Sequence, residues 1–206
     1  MKHLMRQWKT LVLIAALLML PLAAMAQGIT GTSHDFSAAG WNTSGEICIV
    51  CHTPHDAGAT ADAPLWNHTT TTATYTVYDS ATMEATPGQP SGVSLMCLSC
   101  HDGTVALDSF GTTPTTTTSV TGIFNKGTDL SNDHPISMTY DVADLGLNPV
   151  SDPSGTPAGG SIDTDMLFAG EVQCASCHDP HDDAGVANFL VKSNAASDLC
   201  LTCHNK

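Results

Sequence analysis

A mostly coil fold, with short α-helices and little β-structure wrapped around something other than a conventional apolar core, is what three features of this sequence predict. Long apolar runs of helical period are missing, and Gly, Pro, Thr, Ser and Asp interrupt the chain throughout. All eight cysteines fall in four copies of one pattern, C-x-x-C-H, at Cys48–His52, Cys97–His101, Cys174–His178 and Cys200–His204. The 180 residues from Gln27 to Lys206, shared among four copies, leave 45 for each. Bulky groups held at the motifs would then supply most of the apolar interior.

C-x-x-C-H is the attachment signature of c-type haem. The thiols add to the porphyrin vinyl groups as thioethers, and the two-residue spacer lets both reach one macrocycle edge. The expected attachment residues are Cys48, Cys51, Cys97, Cys100, Cys174, Cys177, Cys200 and Cys203, with His52, His101, His178 and His204 as proximal iron ligands. Four haem c groups are expected, and the fold class is that of a multihaem cytochrome c. Zinc is the competing reading of paired C-x-x-C elements, but it does not call for a histidine after every one.

Short helices are expected to carry the motifs, in turn along the chain. A small strand pair is expected around Ala73–Tyr78, where β-branched and aromatic residues cluster. The threonine-rich stretches 69–72 and 112–121 read as surface loop, with O-glycosylation the sharper alternative. Asn148–Ser161 is the most linker-like segment.

The N-terminus has the form of a secretory signal. Lys2, Arg6 and Lys9 precede a nearly unbroken apolar run, Leu11–Leu22, and Ala24-Met25-Ala26 places small residues at a cleavage site. Residues 1–26 are therefore expected to be cleaved, leaving 27–206 as one tetrahaem domain with two haem pairs, at 48–101 and 174–204. An uncleaved anchor is the alternative, disfavoured by the short run. No later stretch is apolar enough to span a bilayer. Covalent haem attachment fits an exported protein, extracellular or on the cell surface, with the periplasm as the alternative.

After cleavage only Lys126, Lys192 and Lys206 remain against all 20 acidic residues, three minus 20 or a formal −17. Nucleic acid is excluded as a partner because phosphate binding needs a basic face. The acidity reads first as a solvated surface, and secondarily as a field for cationic partners.

The chain is also duplicated. CIVCHTPHDAGA at Cys48 parallels CASCHDPHDDAG at Cys174, and each is followed by a leucine-flanked motif, MCLSCH at Cys97 and LCLTCH at Cys200. The spacer is long in the first copy and short in the second. Five histidines remain for four distal positions: His34, His55, His68, His134 and His181, one of them spare. His55 and His181 follow their proximal histidines too closely to cross their own haem, so each should reach a neighbouring one. Met83, Met96, Met138 and Met166 compete as axial ligands, yet the histidine surplus points to bis-histidine iron. Such iron has no open position, which favours electron transfer over catalysis. Trp41 and Trp66 are candidates for packing on porphyrin faces.

The doubled C-x-x-C-H arrangement, SHDFS at His34, CHTPH at His55, PLWNH at His68, NDHP at His134 and CHDPH at His181 resemble the small secreted tetrahaem cytochromes, in particular the OmcE-like extracellular filament-forming cytochromes. The resemblance spans nearly all of 27–206. It implies bis-histidine ligation, respiratory electrons passed to other redox proteins and extracellular acceptors, and a head-to-tail homopolymer. It also implies that one distal histidine ligates a haem of the next subunit, with His34 the nominee by its N-terminal position. A soluble periplasmic shuttle docking to a reductase is the alternative, and a catalytic multihaem reductase a weaker one.

Overall fold

A computed structural model describes residues 28–58, 63–112, 114 and 116–205; the expected signal segment lies outside them. Turns and bends dominate. The helices are α1 (Gly92–His101), α2 (Ile162–Met166) and α3 (Asp198–Cys203), with 3-10 turns at Gly122–Phe124, Cys174–Ser176, Ala187–Phe189 and Ala195–Ser197. The sheet is one antiparallel pair, β1 (Met138–Thr139) with β2 (Glu171–Val172), in the register Met138↔Val172. A mostly coil architecture with short helices is therefore what the chain adopts.

Three of the four motifs sit on helical turns. Cys97–His101 closes α1, Cys174 opens a 3-10 turn, and Cys200–Cys203 lies in α3. Around Cys48 only turns form, closed by His52 N–H donating to Cys48 O at 2.8 Å. α1 stops where Gly103 turns left-handed at φ 74° and donates to Cys100 O. Its buried serines make it a docking helix. Ser94 and Ser99 are both fully buried, and small hydroxylated side chains let neighbouring backbone approach and bond.

The expected strand pair at Ala73–Tyr78 does not form. Tyr75 N–H donates to Gln89 Oε1 at 2.8 Å while Gln89 Nε2 donates to Tyr75 O at 2.9 Å. A side-chain amide thus takes the place of a strand partner, and only an isolated parallel bridge joins Thr76 to Asp129. The threonine stretch 69–72 is likewise not simply solvated: Thr71 is buried and its hydroxyl donates to Asp102 at 2.7 Å.

The linker-like segment 148–161 is also folded. Ser154 is fully buried, and the Asp165 carboxylate gathers Ser154 Oγ, Thr156 Oγ1 and the Gly160 N–H. Ser161 caps α2 by accepting from Thr164 N while Thr164 Oγ1 accepts from Ser161 N. Asn148 Nδ2 then ties this segment to α3 through Leu201 O and Thr202 O.

Among the described residues, apolar burial is split into four small clusters rather than one core. They centre on Trp66 and Met96, on Tyr75 and Leu98, on Tyr140 and Ile162, and on Met166 and Leu199. Motif cysteines Cys51, Cys177 and Cys203 pack on their margins. Each cluster is too small to order a chain alone, which is the arrangement expected if apolar cofactors complete the interior.

Candidate haem sites

Short straps of backbone clasp the motifs, and two of them repeat bond for bond. His52 Nδ1 meets Pro64 O at 2.7 Å, Thr53 N–H donates to Leu65 O at 2.8 Å, and Asn67 N–H donates to Cys51 O at 2.9 Å. In the second half His178 Nδ1 meets Asn188 O at 2.9 Å, Asp179 N–H donates to Phe189 O at 2.7 Å, and Val191 N–H donates to Cys177 O at 3.0 Å. Leu65 and Phe189, at the bend of each strap, share a left-handed φ of 58° and 57°. The sequence duplication is thus a structural one.

The other two motifs have straps of a different make. His101 Nδ1 meets Phe124 O at 2.8 Å and Lys126 N–H donates to His101 O. Leu147 bridges His204, with Asn205 N–H donating to Gly146 O at 2.8 Å. A carbonyl facing Nδ1 makes that nitrogen the proton carrier and leaves the Nε2 lone pair for a metal. His52, His101 and His178 are all set in this way.

The distal candidates divide. His181 stacks opposite His52 with ring centroids 6.2 Å apart and planes 17° from parallel. His34 faces His101 at 6.0 Å and 63°, and His134 faces His204 at 6.3 Å and 64°. One nitrogen of each is also engaged: His134 Nδ1 meets Pro135 O at 2.9 Å, His181 Nδ1 lies 3.4 Å from Asp179 Oδ1, and the His34 ring bonds the Pro180 carbonyl. Burial, and then the nearby His101, lower the His34 pKa, which keeps it in the neutral form that a metal requires. His34 also stacks on Phe189 at 4.6 Å.

His68 is different. It is buried, with Nδ1 2.9 Å from Thr69 O and Nε2 3.0 Å from Ala106 O. Both nitrogens face carbonyls, Nε2 also lies 3.5 Å from Cys100 Sγ, and among the described residues no motif histidine stands opposite the ring. His55 is exposed, and among the described residues no histidine ring stands opposite either His55 or His178. Met96 and Met166 are buried in the apolar clusters.

The motifs follow one another in space as in sequence. Burial raises the Cys51 thiol to about 11, the Cys100 thiol to about 12 and the Cys177 thiol to about 11. After burial, Cys100 feels Cys51 of the first motif, and Cys177 feels Cys203 and Cys200 of the fourth. The Cys97 and Cys174 thiols perturb each other, which pushes Cys97 up and Cys174 down. The contact is built by residues that the sequence did not single out. Ser94 Oγ accepts from Cys174 N–H at 2.9 Å, and Gln173 Oε1 accepts from Ser94 N–H at 3.3 Å and Ser137 Oγ at 3.2 Å.

These residues fit covalently held haem. All eight cysteines are free thiols, and among the described residues no three His, Cys, Asp or Glu side chains converge to hold a bare metal ion. A metal–imidazole nitrogen bond is about 2 Å, and with about 1 Å more from nitrogen to ring centre on each side, two rings flanking one iron stand about 6 Å apart. Trp66 Nε1 is buried without an acceptor, which a carboxylate-bearing cofactor can supply.

Residues 167–206 match the family described as Doubled CXXCH motif. No curated protein matches the chain. The family match supports a multihaem c-type cytochrome: C-x-x-C-H motifs bind haem c covalently, for electron transfer.

Proposed function

We propose that this protein is a tetrahaem electron conduit that carries respiratory electrons through bis-histidine sites toward extracellular acceptors, as a head-to-tail filament. The observation that carries the reading is the set of three facing imidazole pairs at 6.0 to 6.3 Å. The proposed axial pairs are His52 with His181, His101 with His34, and His204 with His134. His68 is the spare.

Haem supplies a one-electron iron couple when bound. The chain's part is to hold both axial nitrogens in place in either oxidation state. Nδ1 bonds to Pro64, Phe124 and Asn188 carbonyls fix the tautomer and ring orientation of three proximal histidines. A haem held between two histidines would leave substrate no point of entry, and such a site would be suited to passing electrons rather than to bond chemistry. The clustered motif thiols support short steps between neighbouring sites.

His178 and His55 are left over. We assign His55 as the ligand donated outward, to the His178 site of the next subunit. His34, nominated by position, faces His101 of its own chain, so the role passes to His55. A donor and an acceptor on different surfaces generate an open chain of subunits. Export to the cell surface goes with this reading.

Electron paramagnetic resonance of the oxidised, haem-loaded protein tests it, with low-spin signals from all four irons expected in the assembled form. A substantial high-spin fraction in that form would count against bis-histidine ligation. Micrographs showing only short, monodisperse particles at every concentration would favour the soluble shuttle instead.

A further inference from the structure

Two fixed charges of opposite sign are withdrawn from water beside different motifs. Asp102 directly follows His101 and is 4 % exposed. Its carboxylate accepts from Tyr75 OH at 2.6 Å, Thr71 Oγ1 at 2.7 Å, Thr104 N–H at 2.7 Å and Thr104 Oγ1 at 2.8 Å. Each oxygen accepts two of these bonds, which is the geometry of an ionised carboxylate. All four donors are neutral, so they solvate the charge without cancelling it.

Lys192 stands at the other end of the motif series. Its side chain is 12 % exposed, and Nζ donates to Thr202 Oγ1 at 3.0 Å and Ser154 O at 3.3 Å. Thr202 is one of the two residues between Cys200 and Cys203, so the ammonium is fastened to the attachment turn itself. Its counter-ion Asp198, at 2.9 Å, is 59 % exposed and is screened by solvent far more than the lysine.

We propose that Asp102 and Lys192 bias the two redox centres they adjoin in opposite directions, making the 97–101 site the more reducing and the 200–204 site the more oxidising. Ferric iron carries one more positive charge than ferrous. The carboxylate therefore favours the oxidised state at His101, and the ammonium favours the reduced state at His204. Each half-reaction takes up one electron. A unit charge at about 10 Å, in a medium of effective dielectric constant about 20, shifts such an equilibrium on the order of tenfold, about 59 mV for one electron. The proposal rests on the electron-conduit reading and gives the row of sites a downhill direction.

The test is a potentiometric titration of the haem-loaded protein, followed by visible absorption and fitted as four one-electron steps. Asp102→Asn is expected to raise one of the lower midpoints, and Lys192→Met to lower one of the higher ones, each on the order of tenfold in the equilibrium constant. Lys192→Arg keeps the charge and should leave the midpoints in place. Asp198→Asn removes the counter-charge and should raise the midpoint that Lys192→Met lowers, which gives a second reading if Asp102→Asn loads poorly. Unmoved midpoints, or shifts of one sign for Asp102→Asn and Lys192→Met, would overturn the proposal. Haemochrome analysis and paramagnetic resonance on the same samples keep the two readings apart. Missing or high-spin haem in the unaltered protein would overturn the conduit, whereas intact low-spin haem with unmoved midpoints would overturn the bias alone.

Discussion

Cys174 hangs from Ser94: its backbone N–H donates to the serine Oγ at 2.9 Å, across 80 residues of sequence. The bond joins the helix that carries the second motif to the turn that opens the third, and so locks the two halves of the duplication together. Ser94→Ala leaves a partly buried N–H without a partner, at a cost of about 1 kcal/mol. A fall in Tm of several degrees is expected in thermal unfolding of the loaded protein. An unchanged Tm would mean that the junction is held by packing alone.

The distal assignments separate by spin state. Replacing His34, His134 or His181 with alanine is expected to convert one haem in four to the high-spin form, and to do so at a different site in each variant. His68→Ala should leave all four low-spin, because its nitrogens face Thr69 and Ala106 carbonyls instead of a motif histidine. Paramagnetic resonance of the four variants decides the matter, and a high-spin signal from His68→Ala would reverse the choice of spare.

His55→Ala is expected to abolish filaments while leaving three low-spin haems and one high-spin haem. Added imidazole should restore the low-spin signal of the fourth without restoring the polymer, because a free ligand fills the site but does not tie two subunits. Filaments that persist in this variant would point to another outward donor.

Asp165 makes the 154–165 loop sensitive to acid. Its pKa is lowered, first by the Ser154 hydroxyl, so the folded state prefers the carboxylate. That contribution is present above the unfolded value of 3.8 and is lost as pH falls through the lower folded value. Asp165→Asn is expected to cost about 1–2 kcal/mol at neutral pH and to flatten the pH dependence below pH 4, as read by urea unfolding.

What the sequence made legible was whatever the cysteines dictate. The coil-rich fold, the helical turns under three of the four motifs and the duplication follow from C-x-x-C-H and its neighbours, because covalent attachment leaves those residues little freedom. Ring pairing was not legible. That His34 meets His101 depends on how the N-terminal turns close over the second motif, and no local pattern encodes it. The Ala73–Tyr78 strand failed because β-propensity says nothing of a competing glutamine side chain at Gln89. The 148–161 segment read as linker from its Gly, Pro and Ser, although the Ser161-Ile162-Asp163-Thr164 cap was a usable sign of a helix start. Asp102 and Lys192 carried no sequence signal, since their meaning lies in burial.

The straps have one further consequence, which concerns the order in which the molecule can be built. In a chain emerging N-terminus first, Pro64–Asn67, Phe124–Lys126 and Asn188–Val191 all appear after the motifs they clasp. Each of those motifs is therefore bare when it emerges and open to the attachment machinery, and its clasp can be laid down afterward. The fourth is reversed: Gly146–Asn148 is already present when Cys200 arrives. The last site is thus assembled against a waiting surface, as the closing step of maturation.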